Sequence, residues 1–321
     1  MDEFALIEQV FARLAPAGAP AFGLGDDAAV LSPEPGCDLV LTKDMITAGR
    51  HFFPDDAPDL IARKLMRVNL SDLAAMGATP VGCLLGLGFG GDLDADLARR
   101  MALGLAADQA EFGCPLIGGD TISGVGGLTL SLTAIGQTPH GQALRRNGAA
   151  AGDLICVSGT IGDAALALRL LEAGQTVSDD DRPLIDRYYL PQPRLALGQA
   201  LRGLASACID VSDGLVADLG HICVRSGLDA RLRLNDVPLS DAARRHLADK
   251  PELIRLCVSG GDDYELAFTL APARLQDIHE AAHVDDLPIA VIGEMVEGAG
   301  QVSLLDGAGA VMDFGPGGFR H

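Results

Sequence analysis

The chain has 321 residues, a formal net charge of −20, 48% hydrophobic residues and 21% charged residues. This balance excludes a disordered chain, which needs low hydrophobicity, and the length suggests about two domains. The acidic charge argues against a nucleic-acid partner, because phosphate backbones bind clustered Lys and Arg.

No apolar run approaches the roughly 18 residues that a membrane-spanning helix needs, and the first residues carry no basic leader segment. The seven cysteines are odd in number and never spaced as Cys-x-x-Cys. They are typical of small buried side chains in a reducing compartment. We therefore expect a cytoplasmic protein with no membrane partner.

Periodic apolar residues and glycine turns predict alternating helices and strands in the first part of the chain. The predicted helices are 2–14, a helix that begins after Phe53 and ends before Gly77, and 93–112. The predicted strands are 38–42, 81–89, 115–121 and 128–135. Gly77 and the following Pro80 end the second helix in the usual way.

A change of composition over 137–152, with Gly, Pro, two arginines and an alanine run, predicts a domain boundary. We expect an N-terminal domain over 1–137 and a C-terminal domain over 148–321. Beyond the boundary the predicted strands are 154–158, 208–210, 265–270 and 289–292. The predicted helices are 163–174, 182–189, 194–204, 214–227 and one between 270 and 289. The alternation predicts an α/β or α+β class for both domains.

A set of aspartates shares one setting, at strand ends or in glycine-flanked turns rather than along helix faces. They are Asp26, Asp27, Asp44, Asp120, Asp210, Asp213, Asp262 and Asp263. Two carboxylates within about 4 Å repel by about 4 kcal/mol at an effective dielectric constant near 20. Oxygen ligands without a His or Cys set suit a hard divalent cation, so the sequence predicts bound Mg²⁺.

Asp72 lies in the last turns of the second predicted helix, on the unfavourable end of its dipole. The segment alone allows two interpretations: a solvated surface carboxylate, or a carboxylate that a bound cation holds in place. The neighbouring aspartate loops favour the cation.

Glycine turns beside aspartates also suit phosphate, because backbone N–H groups can approach its oxygens and Mg²⁺ often joins carboxylates to a substrate phosphate. The P-loop and protein-kinase motifs are absent, and the chain has three lysines. Metal ions and a few arginines must then neutralise the phosphates. Arg146 is the first choice, with a structural arginine between domains as the alternative.

Seven motifs, all but one with an aspartate, follow one another along the chain: Gly-Asp-Asp-Ala-Ala (25–29), Thr-Lys-Asp (42–44), Gly-Arg-His-Phe (49–52), Asn-Leu-Ser-Asp-Leu-Ala-Ala-Met-Gly-Ala (69–78), Gly-Gly-Asp-Thr (118–121), Ile-Asp-Val-Ser-Asp-Gly-Leu (209–215) and Ser-Gly-Gly-Asp-Asp-Tyr-Glu-Leu (259–266). In content and order they resemble the thiamine-monophosphate kinase family from end to end.

The resemblance implies ATP-dependent phosphorylation of thiamine monophosphate to thiamine diphosphate, by direct in-line transfer and with no side chain as nucleophile. It also implies a homodimer whose N-terminal sheets pair into a β-barrel, each with an α/β C-terminal domain built on a mixed sheet. Siblings in the same superfamily are the alternatives: a synthetase such as aminoimidazole ribonucleotide synthetase or selenophosphate synthetase, or a non-catalytic maturation or scaffold protein.

The motifs also imply site residues. The implied Mg²⁺ ligands are Asp27, Thr42, Lys43, Asp44, Asp72, Asp120, Asp210 and Asp213, of which Asp72, Asp120 and Asp210 are the most critical. The residues implied at the ATP phosphates are Gly119, Asp120, Arg146 and Ser212. Those implied at thiamine monophosphate are His51, Asp262 and Phe314.

Three positions depart from the family pattern. Lys43 stands where a metal-binding Thr is frequent, so its ammonium is expected to replace a metal ion or to point into solvent. Asp262 stands for a Glu, and Phe314 for a frequent Trp.

The alternatives lack their own working groups. A selenophosphate synthetase needs a reactive residue near the N-terminus, yet the first cysteine is Cys37. The maturation protein presents a C-terminal cysteine, whereas the last cysteine here is Cys257. The synthetase for aminoimidazole ribonucleotide is disfavoured by the motifs at 49–52 and 259–266.

Overall fold

The computed structural model describes residues 3–174, 176–282 and 287–312. Phe314 lies outside these ranges. The chain divides into two compact units. Unit 1 holds the chain up to Leu73 together with Ala78–Gly141, and unit 2 holds Ala74–Gly77 and the chain from Gln142 onward. Within the described ranges, no helix is both long enough and apolar enough to cross a membrane.

Unit 1 is built on a four-stranded mixed sheet in the order β1-β4-β2-β3. The strands are β1 Cys37–Thr47, β2 Thr79–Gly88, β3 Leu116–Ile122 and β4 Thr129–Pro139. β2 and β3 are parallel, and β4 runs antiparallel to both of its neighbours. In the described part of the chain this sheet stays open, with β1 and β3 at its edges.

Helical segments complete unit 1. A short α1, Glu3–Leu6, continues as a π-helix over Ile7–Phe11 and a 3₁₀ turn over Ala12–Leu14. The long helices are α2 Pro58–Ala75 and α3 Ala95–Phe112. One face of the sheet is buried, with apolar side chains at every second position of β2 and β4, as alternation along a strand requires. We call this the inner face and the opposite one the outer face.

A buried ion cluster joins α2 to α3. The Arg67 guanidinium donates from Nε and Nη2 to the two carboxylate oxygens of Asp108, both at 2.9 Å, and from Nη2 to Glu111 at 2.7 Å. It also lies 4.8 Å from the centre of the Phe112 ring. Arg63 donates to the same Asp108 at 2.8 Å. Because Asp108 is fully buried, these bonds fix how α2 lies against α3.

Unit 2 is built on a six-stranded sheet in the order β10-β7-β9-β5-β8-β6. Its strands are β5 Leu154–Ser158, β6 Ala207–Asp210, β7 Leu228–Arg233, β8 Leu266–Leu270, β9 Ile289–Glu297 and β10 Val302–Leu305. Its helices are α4 Asp163–Glu172, α5 Arg182–Tyr189, α6 Leu195–Ala200, α7 Leu215–Ser226, α8 Asp241–Asp249, α9 Ile254–Ser259 and α10 Leu275–Ala282.

The unit 2 sheet has an apolar core on each face. Ile155 and Val157 of β5 belong to one core, together with Leu219 of α7. Cys156, which lies between them on the strand, belongs to the other core with Phe268 of β8. This alternation follows from a strand buried on both faces. The sheet therefore forms the middle layer of the unit.

The ion cluster between α2 and α3 leads to a stability prediction. Arg67→Leu should lower the free energy of unfolding by about 3 kcal/mol, because it leaves Asp108 buried with Arg63 alone. Arg63→Leu, at a position whose side chain is 22% exposed, should cost about 1 kcal/mol or less. Urea denaturation of the two variants checks this, and equal losses would contradict it.

Candidate active site

Three of the predicted metal-binding residues meet in unit 1 on the inner side of β1. Thr42 and Asp44 occupy alternate positions of the strand and so point to the same face. The Thr42 hydroxyl donates to the Asp72 carboxylate, which the last turns of α2 present to the strand. The structure thus brings Thr42, Asp44 and Asp72 together.

Asn69, one helical turn before Asp72, holds β1 against α2. Its Oδ1 accepts from the backbone N–H of Asp44 at 3.1 Å, and its Nδ2 donates to the carbonyl of Leu65 at 2.8 Å. The side chain is fully buried. The oxygen and the nitrogen of the Asn69 amide are thus both hydrogen-bonded, and the side chain fixes the Asp44 backbone against α2.

The two carboxylates at this place disturb each other. The pKa of Asp44 is raised to about 6, first by burial and then by the negative charge of Asp72. A nearby cation would relieve both effects. Magnesium usually takes one or two carboxylates, with water and phosphate completing its shell. The donor set of Thr42, Asp44 and Asp72 fits that requirement.

A second group in unit 1 lines a cavity of about 650 Å³. Asp27 comes from the exposed glycine-flanked loop, and Gly119 and Asp120 come from the edge strand β3. Gly119 is needed here, since a Cβ at this position would lie 2.1 Å from the Leu85 carbonyl oxygen. The carboxylate of Asp120 accepts the backbone N–H of Thr121 at 2.9 Å.

Lys43 lies between Thr42 and Asp44 in sequence and therefore points to the outer face of β1. Its ammonium donates to the hydroxyl of Ser131 on β4 at 2.5 Å. The metal-ligand set that the resemblance implies is thus divided, with the ammonium on the face opposite Thr42 and Asp44. An ammonium that carries its proton has no lone pair to give a metal ion.

The half-buried His51 has a defined tautomer. Its Nδ1 accepts the backbone N–H of Thr47 at 3.2 Å, and its own backbone N–H donates to the Thr47 carbonyl at 3.1 Å. Because Nδ1 is an acceptor, the ring proton lies on Nε2.

In unit 2 the predicted residues Asp210, Ser212 and Asp213 follow one another at the end of β6 and the start of α7. The loop they form is shaped by Asp218 of α7. One oxygen of this buried carboxylate accepts the backbone N–H groups of Ser212, Asp213 and Gly214 at 2.9, 3.0 and 3.2 Å. Burial raises the pKa of Asp218 to about 7, although the three backbone hydrogen bonds act in the opposite direction.

Asp262 lies in a loop that hydrogen-bonds directly to this one. Its backbone N–H donates to the Ser212 carbonyl at 2.9 Å, and the Tyr264 N–H donates to the Val211 carbonyl at 2.8 Å. A Cβ on Gly261 would lie 2.1 Å from the Ser212 carbonyl oxygen, so only glycine permits this approach. The structure therefore brings Asp262 together with Ser212 and its neighbours.

A charged cluster that we call the Glu265 cluster supports the Asp262 loop: Glu265, Arg187, Arg194 and Ser158. The fully buried Glu265 accepts from Arg187 at 2.7 Å, from Arg194 at 2.5 and 2.7 Å, and from the Ser158 hydroxyl at 2.5 Å. Burial acts to raise the pKa of Glu265, but both arginines and Ser158 together hold it below its usual value. Glu265 is therefore a carboxylate.

The exposed Arg146 lies beside the open edge of β6, since the carbonyl of the preceding Arg145 accepts the backbone N–H of Cys208 at 2.9 Å. The structure thus places Arg146 along the strand that ends at Asp210. Phe314, the third residue predicted at thiamine monophosphate, lies outside the described residues.

Sequence reasoning missed Asn69, Asp218 and the Glu265 cluster as supports of the site. Asn69 and Glu265 lie inside the motifs given above, but nothing local assigns them a role. Asp218 has a weak local signal, because an acid in the first turn of a helix suits the helix dipole.

Within residues 3–174, 176–282 and 287–312, no three acidic, histidine or cysteine side chains stand close enough together to hold a metal ion. The group of Thr42, Asp44 and Asp72 contains two carboxylates and one hydroxyl. Such a group suits an ion that completes its shell with phosphate oxygens and water.

Both parts of the chain match known family models. Residues 25–138 match the N-terminal domain of AIR synthase related proteins, and residues 150–305 match the C-terminal domain. The mixed α/β units and their aspartate loops thus define a protein of this two-domain class.

Two similar proteins belong to one particular family within this class. A thiamine-monophosphate kinase of Caulobacter vibrioides is 43% identical over 93% of this chain and 85% of its own length. A crystal structure of thiamine-monophosphate kinase from Stenotrophomonas maltophilia is 42% identical over 95% of this chain and 96% of its own, with a TM-score of 0.86. The chain belongs to the thiamine-monophosphate kinase family.

A further solved structure, AaThiL complexed with AMPPCP and TMP, is 29% identical to this chain. It covers 94% of this chain and 96% of its own, with a TM-score of 0.80.

The shifted pKa of Asp44 predicts a pH dependence in metal-free protein. Its folded value, about 6, lies above the value of about 3.9 expected in the unfolded chain. The folded state therefore binds more protons between these values, and stability falls as pH rises from about 4 to about 6. Asp44→Asn removes this loss, so in EDTA it should exceed the parent by about 1–2 kcal/mol at pH 7.5 and by little at pH 4.

Asp38→Asn is the matched control on the same strand. The pKa of Asp38 is lowered, first by the backbone N–H of Gly141 and then by His140. Asp38→Asn should therefore be less stable than the parent at neutral pH. Urea unfolding at both pH values gives the comparison. An Asp44→Asn difference that does not change with pH would contradict the account.

Proposed function

We propose that this protein transfers the γ-phosphoryl group of ATP to thiamine monophosphate, which yields thiamine diphosphate and ADP. The observation that carries the proposal is the match along nearly the whole chain to thiamine-monophosphate kinases, including a structure complexed with AMPPCP and TMP. The aspartate groups of both units agree with it, because phosphoryl transfer depends chiefly on charge neutralisation and alignment.

Bound Mg²⁺ would supply the positive charge that the chain lacks. In unit 1 we assign its binding to Asp27, Thr42, Asp44, Asp72 and Asp120, and in unit 2 to Asp210 and Asp213. Asp72, Asp120 and Asp210 are the critical members. Asp72 and Asp44 fit the role best, since burial and then the charge of Asp72 raise the pKa of Asp44, and a cation would relieve both effects.

The ATP phosphates are assigned to Gly119, Asp120 (through the metal), Arg146 and Ser212. Gly119 and Asp120 line the cavity of unit 1, and the place of a Cβ on Gly119 is taken by the Leu85 carbonyl. At Ser212 the backbone N–H is already bound to Asp218, so the side-chain hydroxyl is the donor that remains. Arg146 is exposed and can reach the phosphates with a forked guanidinium.

His51, Asp262 and Phe314 are assigned to thiamine monophosphate. The Nε2–H of His51 is the type of donor that an oxygen acceptor such as phosphate requires. Asp262 offers a carboxylate, which suits the cationic part of a thiamine. No side chain is assigned as a nucleophile, and the acceptor phosphate attacks ATP directly.

Lys43 is assigned to the outer face of the sheet rather than to the ions held by Thr42 and Asp44. Its bond to Ser131 supports this assignment. We place the protein in the cytoplasm. Its seven free cysteines are consistent with a reducing compartment.

We also propose a homodimer in which the outer faces of two four-stranded sheets meet and close a barrel. The outer face exposes apolar side chains from three strands, namely Leu39, Leu41, Met45, Leu84 and Ile122. They share a face by register and alternation. Exposed apolar residues that share one face of a sheet mark an interface, and a second copy offers a matching surface.

The activity is tested by ADP release from ATP in the presence of thiamine monophosphate, with aminoimidazole precursors as competing acceptors. We expect Mg²⁺-dependent release with thiamine monophosphate alone. Release only with an aminoimidazole precursor would point to the sibling synthetase instead.

Asp72→Asn should abolish turnover, because a neutral amide is a far weaker ligand for Mg²⁺ than a carboxylate. The metal-free fold should survive with equal or slightly higher stability, since one of two repelling charges is gone. Turnover is measured beside thermal unfolding in EDTA. A loss of stability that matches the loss of activity would show that Asp72 is a packing residue.

Leu41→Asp should convert the dimer to monomer, because it places a charge on the outer face that forms the proposed interface. Leu103→Asp on α3 is the control, since Leu103 is 71% exposed against 63% for Leu41. Sedimentation of both variants measures whether each is a monomer or a dimer. The proposed interface fails if Leu41→Asp remains dimeric or if the parent protein is a monomer.

A further inference from the structure

The Asp262 loop has an unusual backbone. Asp262 and Tyr264, on either side of Asp263, have positive φ values of 68° and 51°. Such values are uncommon outside glycine, and a bulky residue such as tyrosine adopts them only where the surroundings enforce it. Strain of this kind concentrates at functional sites.

Contacts on both sides of Tyr264 enforce this conformation. The buried carboxylate of Asp263 accepts the backbone N–H of Gly162 at 2.9 and 3.0 Å. Nη2 of Arg187 donates both to the Asp263 carbonyl at 2.8 Å and to Glu265 at 2.7 Å. One guanidinium therefore joins the residue before Tyr264 to the residue after it.

The conformation has a geometric result at Asp262. With both backbones in the left-handed region, the Tyr264 ring lies beside the side chain two residues earlier. Its hydroxyl donates to Oδ1 of Asp262 at 3.2 Å. Residues two apart share a face in an extended strand as well. In this loop the left-handed backbone also brings the tyrosine hydroxyl within hydrogen-bond distance of the Asp262 carboxylate.

We propose that Tyr264 is a positioning residue for the phosphate acceptor: its hydroxyl sets the orientation in which the Asp262 carboxylate meets the cationic acceptor. The assignment rests on the proposed function of Asp262. Arg187 and Glu265 act one step further away, by holding the backbone that carries the tyrosine.

The loss of a positioning residue changes the binding of the acceptor, whereas the loss of a purely structural residue changes the stability of the fold. The Asp262–Tyr264 bond is partly buried and, at 3.2 Å, longer than the usual 2.7–2.8 Å for O–H···O. Its loss should therefore affect the fold little. The acceptor contact is lost selectively, because the loops of unit 2 that carry Ser212 and Asp213 remain held by Asp218.

Tyr264→Phe removes this hydroxyl and little else. We expect the KM for thiamine monophosphate to rise about three- to tenfold, with kcat, the KM for ATP and the Mg²⁺ concentration for half-maximal rate all within twofold of the parent. Tyr189→Phe on α5 is the matched control and should leave every one of these values unchanged. Thermal unfolding of both variants should match the parent.

Asp262→Gly separates this inference from the function on which it rests. Glycine loses the carboxylate and is at ease at φ 68°. Asp262→Gly alone should raise the KM for thiamine monophosphate, and adding Tyr264→Phe should have no further effect.

Two outcomes overturn the positioning role. The first is a normal KM in Tyr264→Phe beside a raised KM in Asp262→Gly, and the second is a Tyr264→Phe loss that adds fully to that of Asp262→Gly. If Asp262→Gly itself leaves the KM unchanged, Asp262 does not bind the acceptor, and the positioning role fails together with that assignment.

Discussion

The repulsion between Asp44 and Asp72 is the constraint on which the arrangement of unit 1 depends. Two carboxylates held together in a half-buried place would push β1 and α2 apart unless other bonds fixed them. Asn69 supplies one of those bonds, at the Asp44 backbone. The cluster around Arg67 supplies the others, because it anchors α2 on its far side. Residues of the same helix, within two turns of Asp72, thus hold the unfavourable pair in place.

Unit 2 solves a related problem with backbone rather than side chains. The loop after β6 and the loop before β8 approach so closely that glycine is required on one side, and their amides and carbonyls bind each other directly. Asp218 fixes the first loop from within its own helix. The Glu265 cluster fixes the second from beneath. Side chains presented by these loops therefore have little freedom to move independently, as a preorganised site requires.

Much of the fold follows from local pattern, since apolar periodicity and glycine turns predict most strands and both long helices of unit 1. The segment between 227 and 258 does not. β7 reads Leu-Asp-Ala-Arg-Leu-Arg, with residues of low strand preference, and α8 is mostly polar. In the site, aspartates stood out by their glycine neighbours. Asn69 and Asp218 did not, because their partners are backbone groups that only the folded chain brings near them. Lys43 is separated from Thr42 and Asp44 for a simpler reason: strand alternation turns it to the other face, where it donates to Ser131.

The carboxylate of Asp218 has a consequence for which anions the protein can attract. Three converging amides at the start of a helix are normally a good receptor for any small oxyanion, including orthophosphate and sulfate. Here the carboxyl group of Asp218 already occupies that receptor. A free oxyanion that approaches this loop meets the negative charge of Asp213 rather than open amides. A small free anion such as inorganic phosphate therefore finds no set of open amides at the start of this helix.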